Sequence, residues 1–196
     1  MRRGWLVIIT FLSTTALLIA ASTGNVLPSS CTNVDRSAQT AWTNPGDAVS
    51  DNTTDTTVVV PSDYLVCVFT FSVPSGATIQ GVTVRVEASE TGTGSSNYIP
   101  QLISNATPTL IGAAKSAVTV TGATKVISTN GGPADLWSAT LTPATVNTGT
   151  FGAAFWSTDT TNTLAVDFVD MNIEYTVACV GCLNNPRRGG QVRRAR

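Results

Sequence analysis

The stretch Ile79-Gln80-Gly81-Val82-Thr83-Val84-Arg85-Val86-Glu87-Ala88 decides the fold. Val82, Val84, Val86 and Ala88 fall to one side, and Thr83, Arg85 and Glu87 to the other, which is the period-two pattern of a strand with one face in a core. The turn Pro74-Ser75-Gly76-Ala77 precedes it, and a run of small polar residues, Ser89 to Asn97, reads as the loop that follows. Working towards the N-terminus, Tyr64–Val73 is a longer, almost wholly apolar strand and Thr56–Val60 a short one. Towards the C-terminus, Tyr98–Ser104, Thr109–Ala114, Ala117–Val120, Thr124–Ser128 and Phe151–Trp156 read as further strands. Asn130-Gly131-Gly132-Pro133 marks a loop and Asp159-Thr160-Thr161-Asn162 a turn. Leu164–Ala178 is the last strand. Its apolar parity switches from Leu164, Val166 and Phe168 to Val169, Met171 and Ile173, which predicts a β-bulge near Phe168–Val169.

One helical turn is expected, at Thr142–Val146, with Thr142 as its cap and Pro143 at the first helical position. No longer stretch after residue 24 has helical periodicity. Many short strands with turn signals at close spacing predict an all-β chain. The expected form is a single antiparallel β-sandwich, jelly-roll-like, after an N-terminal hydrophobic segment.

Composition agrees. Of 196 residues, 12% are charged and 42% hydrophobic, so the chain is neither disordered nor short of a core. Met1-Arg2-Arg3-Gly4 is a short basic start, and Trp5 to Ala21 an uncharged, mostly apolar run of about 17 residues. Ala20, Ala21, Ser22 and Gly24 then supply small residues, with a cut after Ser22 or Gly24 fitting signal peptidase best. Residues 1–24 therefore read as a signal peptide or an uncleaved hydrophobic anchor, which would be the protein's contact with a membrane. Residues 25–182 form the β-sandwich domain. Their 12 acids stand against four bases (Arg36, Arg85, Lys115, Lys125), for a net −8. Residues 183–196 are expected to be a disordered tail carrying Arg187, Arg188, Arg193, Arg194 and Arg196 and no acid.

Export makes the four cysteines intelligible, since an oxidising compartment favours disulfides. Cys31 lies near the start of the domain and Cys179 and Cys182 near its end, so a bridge from Cys31 to one of those two would tie the ends together. Cys67 shares parity with Leu65, Phe69 and Phe71 and is expected as a buried thiol.

Several motifs occur in a fixed order: Trp42-Thr43-Asn44-Pro45, then Val73-Pro74-Ser75-Gly76-Ala77-Thr78-Ile79-Gln80-Gly81-Val82, then Gly131-Gly132-Pro133-Ala134-Asp135-Leu136-Trp137, then Leu141-Thr142-Pro143. This set resembles a sparsely characterised family of β-sandwich domains found in phage structural proteins and secreted bacterial surface proteins. The resemblance covers roughly residues 40–177. It implies a β-sandwich in a virion or cell-surface setting and no catalytic residues.

Chemistry narrows the function. The chain has no histidine, which removes Ser-His-Asp and Cys-His nucleophile systems and His-bearing metal sites. Glu87, Glu90, Asp167, Asp170 and Glu174 mostly alternate with apolar residues and are expected to face outward as solubilising charges. We expect no enzyme and no cofactor, with one exception. Asp47, Asp51, Asn52 and Asp55 fall within a turn-rich segment, and hard oxygen ligands on a loop suit calcium. For glycan binding, Trp42 and Tyr98 border loops and are the candidate platforms, with the loops at 89–97 and 129–135 as a rim. Trp137 and Trp156 sit in apolar runs and are expected in the core. The arginine tail lacks interleaved aromatics, so sequence-specific nucleic-acid binding is not expected; it suits a charge contact with acidic neighbouring subunits. Two readings follow. One is a secreted structural protein of a cell or virion surface, assembling as a homo-oligomer or with neighbouring subunits. The other is an adhesion or carbohydrate-binding module.

Overall fold

The computed structural model describes residues 17–179. The strands, in chain order, are β1 (Leu17–Ser22), β2 (Ser30–Val34), β3 (Thr56–Val59), β4 (Tyr64–Val68), β5 (Thr78–Glu90), β6 (Ser95–Ile103), β7 (Leu110–Ile111), β8 (Val118–Thr121), β9 (Val126–Gly132), β10 (Gly152–Trp156) and β11 (Thr163–Cys179). A 3-10 helix at Pro45–Ala48 and a helical turn, α1, at Pro143–Val146 complete the described elements. The chain is all-β, and its antiparallel strands form two sheets.

The first sheet runs β1-β11-β5-β9, with β3 also on β11; the second runs β2-β4-β10-β6-β7, with β8 also on β6. The alternation of β5 survives intact: Val82, Val84, Val86 and Ala88 are buried, while Thr83, Arg85 and Glu87 lie on the other face and are half-buried. Across the core they meet side chains of the second sheet, including Leu65, Cys67, Tyr98, Leu102 and Phe155, in one continuous cluster. Burying each of these large side chains is worth about 1.5–3 kcal/mol, so this cluster is the main source of stability.

The bulge in β11 is present, one residue before its expected place. Pairing with β5 skips between Val166 and Phe168, leaving Asp167 as the extra residue. α1 also forms as expected, with the Thr142 hydroxyl accepting from the Thr145 amide. The quoted motifs are structural pieces. Trp137 is buried, its indole N–H donates 2.9 Å to the Val82 carbonyl, and the ring lies against Gly131. A Cβ on Gly131, whose φ is +76°, would sit 2.5 Å from that indole nitrogen, so a side chain there would expel the tryptophan.

Other expectations change. The apolar run from Tyr64 leaves the ladder at Val68. The loop expected at 89–97 shrinks to residues 91–94, because β5 and β6 both run on into it. β9 continues through Gly132, where a loop was expected. Residues 17–22, the end of the hydrophobic N-terminal run, form β1 on the edge of the first sheet. Residues 1–16 and the tail 183–196 lie outside the described residues, as does Cys182.

The disulfide expectation is overturned. Cys31 bonds to Cys67, its direct partner across the β2–β4 ladder, and Cys179 is disulfide-bonded as well. Chain position pointed to a bridge between the ends, but strand pairing places Cys31 and Cys67 with Cα atoms 4.1 Å apart. Parity was correct, in that Cys67 is fully buried, but its sulfur is bonded rather than free. The bridge closes a loop with a sequence separation of 36 residues, for which chain entropy gives a stabilisation of about 4 kcal/mol. The double variant C31A/C67A should lower the unfolding free energy by about 2–4 kcal/mol in a urea titration, with the far-ultraviolet strand signature kept. An unchanged midpoint would mean that the bridge adds nothing to the sheet.

Candidate functional site

Both aromatic platforms expected from sequence are core residues. Trp42 is 4% exposed and donates its indole N–H, at 2.9 Å, to the Asp63 carbonyl. Tyr98 is fully buried, packs edge-on against Phe155, and shares a hydrogen bond with Ser128. Burial raises the Tyr98 phenol above its ordinary pKa, and the hydrogen bonds to Ser128 and Asn130 pull it back in part. Bordering a loop in sequence did not bring either ring to the surface: β6 turns Tyr98 inward, and Trp42, on the segment after β2, is held in by its bonds to Asn33 and Asp63. Trp137 is in the core as expected, whereas Trp156 is buried on the outer face of the second sheet, outside the main core cluster.

Three other places carry chemistry. The first lies on the outer face of the first sheet. The bulge projects Asp167 beside Glu87 of β5, and carboxylate oxygens of Asp51, Glu87 and Asp167 all lie within 4.8 Å of one another. Lys125, just before β9, reaches into the same group. Its ammonium lies 2.8 Å from Asp167 and 2.7 Å from Asp55. Asn52 donates its backbone N–H to Asp167. Burial alone would make Glu87 a weaker acid; a hydrogen bond and charge repulsion from Asp167, and repulsion from Asp51, push the same way, while Lys125 partly offsets them. Burial works against the Lys125 charge, but its hydrogen bonds to Asp167 and Asp55 outweigh that and hold the ammonium above the usual lysine range.

The calcium set expected from sequence is therefore only partly brought together. Asp51 joins the oxygen group and Asp55 reaches it through Lys125, whereas Asn52 contributes its backbone and turns its side chain to Ser50. Asp47 sits in the 3-10 helix, outside the group. The other carboxylates come from two strands, which a search for one loop could not find. The hard oxygen donors fit a divalent cation in kind, but the lysine already supplies positive charge there.

Asp167, Asp170 and Glu90 also correct the expectation of outward solubilising charges, since all three are buried. Asp167 and Asp170 lie on the face away from the core, whereas Glu90 shares the parity of Val86 and Ala88; each is covered and hydrogen-bonded. Arg85 grips Asp170 directly across the β5–β11 ladder, with Nε 2.9 Å from Oδ1. The hydrogen bond to Asp170 raises the arginine's pKa, against the cost of burial. Glu90 folds back to accept from the amides of Gly92 and Gly94.

The second place is the outer face of the second sheet. Val66, Val68, Ala154 and Ile103 form a small apolar cluster there, flanked by Val34, Tyr64 and Leu110. Tyr64 and Trp156 meet edge-to-face at 5.3 Å, and the Arg36 guanidinium lies 5.8 Å from the centroid of each ring. Arg36 is held by its Nε to the Ser62 carbonyl and by its Nη2 to the Ser157 carbonyl. Buried Asp63 organises the approach, accepting from the Arg36 amide and the Asn33 side chain. The arrangement is a cation laid over two aromatic rings, which stabilises by about 0.5–2 kcal/mol and puts a guanidinium where a polar ligand would meet it.

The third place is the pair of outer strands of the first sheet. Leu17, Leu18, Ile19 and Val59 are exposed along one side of it, and Val126 and Ile127 along the other. None of these residues stood out as a site in the sequence, because Leu17–Ile19 read as the end of the hydrophobic N-terminal segment and Val59, Val126 and Ile127 as parts of ordinary apolar strands.

No family model matches the chain, and no curated protein matches it. Among solved structures, the chain is similar to the xylan-binding domain CBM22-1 of Paenibacillus barcinonensis Xyn10C, with 9% identity, 86% of this chain and 100% of that one covered, and a TM-score of 0.36. It is similar also to the xylan-binding module CBM15, with 10% identity, 84% and 100% coverage, and a TM-score of 0.38. The all-β class rests on the two sheets themselves.

The carboxylate group makes a pH-dependent prediction. Folding raises the Glu87 pKa, so the folded chain binds this proton more readily than the unfolded one. The group's contribution to stability therefore falls as pH rises from the ordinary value of 4.5 through the raised one. Glu87→Gln should match or exceed the parent's melting temperature at neutral pH and flatten this part of the pH profile. Lys125→Met should lose about 2 kcal/mol at neutral pH, and adding Glu87→Gln should recover part of it. Equal pH profiles for parent and Glu87→Gln would show that the glutamate titrates normally.

Proposed function

We propose that the protein is an exported, non-enzymatic structural subunit of a cell or virion surface, assembling with copies of itself through the edges of its first sheet. One observation carries the reading: large apolar side chains lie exposed on the outer strands at both sides of that sheet. Edge strands in soluble monomers are usually short, charged, bulged or covered, because an open row of N–H and C=O groups recruits other strands. Here Val59 of β3 is exposed at one side, and Val126 and Ile127 of β9 at the other. At the far end of β11, Ala178 is exposed and Tyr175 and Val177 are half-buried. A second copy would remove that surface from water at about 25 cal/mol per Å². A disulfide between β2 and β4 suits an oxidising exterior. The arginine-rich C-terminal segment and the acidic domain add a salt-sensitive attraction between neighbours.

Light scattering on the purified protein over a wide concentration range tests the reading. The parent should form species larger than a monomer, and Val59→Lys with Ile127→Lys should reduce their size with the fold unchanged. High salt should weaken the tail contribution and leave the apolar contact. A parent that stays monomeric at every concentration would overturn the proposal.

The Arg36–Tyr64–Trp156 cluster favours a second reading, a glycan-binding module that works from the outer face of the second sheet. Soluble xylan and an unrelated glycan, titrated against tryptophan fluorescence, separate the two. Binding that Tyr64→Ala weakens at least tenfold, in a protein that remains monomeric, would favour the glycan. A flat response to both would remove this reading.

A further inference from the structure

Residues 17–22 belong to two structures that cannot coexist. In sequence they end the apolar leader, where Ala20, Ser22 and Gly24 place small residues for a signal peptidase. In the fold they are β1, laid antiparallel on β11 from Ser22 against Glu174 to Leu17 against Cys179. Hydrolysis of the Ser22–Thr23 or Gly24–Asn25 bond, with water adding across it, removes the strand together with the leader. An uncut leader gives the same result. A span of the bilayer core needs about 20 residues, so the run Trp5–Ala21 would have to draw residues 17–21 off the sheet.

We propose that export uncovers the edge of β11 at Glu174–Cys179 and that a second copy of the chain, presenting the same edge, takes the place of β1. This rests on the assembly reading above and names its contact.

The opening is sharply bounded. Thr23 holds Ile173 from both sides, its amide donating to the Ile173 carbonyl and its hydroxyl accepting from the Ile173 amide, each at 3.0 Å. Val26 exchanges both backbone bonds with Met171, Val49 bridges Phe168, and β3 covers Thr163–Val166. A cut after Ser22 leaves all of these in place and uncovers β11 only beyond Ile173, and a cut after Gly24 takes Thr23 as well and extends the opening to Ile173. The core does not depend on the lost strand, since no β1 residue belongs to the buried core cluster.

The freed edge is self-complementary. In an antiparallel pair, directly opposed residues turn their N–H and C=O groups either both towards the partner or both away from it, so a two-fold axis has to pass through a residue. With the axis at Thr176, Tyr175 faces Val177 of the other copy on each side. Glu174 faces Ala178, and no like charges oppose one another. Aromatic against β-branched is a favourable cross-strand pair, and a two-fold axis is the commonest symmetry for a pair of identical chains.

The test compares the full chain made without export, in which β1 stays in place, with the same chain recovered after export. Intact mass should put the exported N-terminus at Thr23 or Asn25, and light scattering should show a doubled mass. Thr176→Cys should turn the exported protein largely into a covalent dimer under mild oxidation, because the axis sets the two cysteines against each other. The unexported variant should not cross-link, and adding Ala20→Cys should give an intrachain bond, as Ala20 faces Thr176. Amide exchange at Tyr175 and Val177, whose N–H groups face the edge, slowing in the unsubstituted exported protein as concentration rises, gives the same reading without a substitution. Exported protein that retains residues 17–22 on β11, or that doubles in mass without cross-linking at position 176, overturns this proposal and leaves assembly through another edge standing. Exported protein that stays monomeric while these amides exchange freely overturns both.

Discussion

The pairing of β5 with β11 is the constraint on which the rest of the structure depends. These are the two longest strands, and their ladder runs from Thr78 against Thr176 to Glu90 against Leu164. One face of it must be apolar, because the second sheet lies on it; the opposite face is then left to polar and charged side chains. The Arg85–Asp170 pair and the Glu87–Asp167 contact both follow from which residues this register sets side by side. A slip of one residue would turn every one of these side chains to the other face.

The bulge at Asp167 shows how one irregularity creates a local chemistry. Without the extra residue, β11 could not keep Val169, Met171 and Ile173 in the core at one end and Leu164 and Val166 at the other. The compensating carboxylate is pushed out beside Glu87, where Lys125 and the loop from Asp51 to Asp55 close over it. The cost of gathering four carboxylates is offset by one ammonium and by the proton that Glu87 retains more readily than usual. The apolar pattern of β11 thus leads directly to an unusual electrostatic arrangement on the opposite face.

The edge of β11 is covered in series by β3, Val49, Val26, Thr23 and β1. β3 and Val49 pack on the core, Val26 exchanges both backbone bonds with Met171, and Thr23 grips Ile173 by amide and hydroxyl, whereas β1 sends no side chain into the core cluster. The proposed exchange of β1 for a second copy rests on this difference. The arginine cap on Tyr64 and Trp156 is held by backbone carbonyls of two different turns, which makes it a fixed feature of the second sheet.

By itself the sequence determined the all-β class, the register-setting alternation of β5, the bulge in β11, the capped turn at Thr142 and the burial of Trp137 and Trp156. Each is written in local periodicity or in the chemistry of two or three neighbouring residues, and these survive whatever the distant partners are. Only the tertiary structure decided that Cys31 bonds to Cys67, that Trp42 and Tyr98 lie in the core, and that Asp51, Glu87, Asp167 and Lys125 meet. It also decided that residues 17–22 can serve as a strand. Those outcomes depend on which strands become neighbours, and strand order is set by the burial of whole faces against one another. A residue's position along the chain carries no record of that choice.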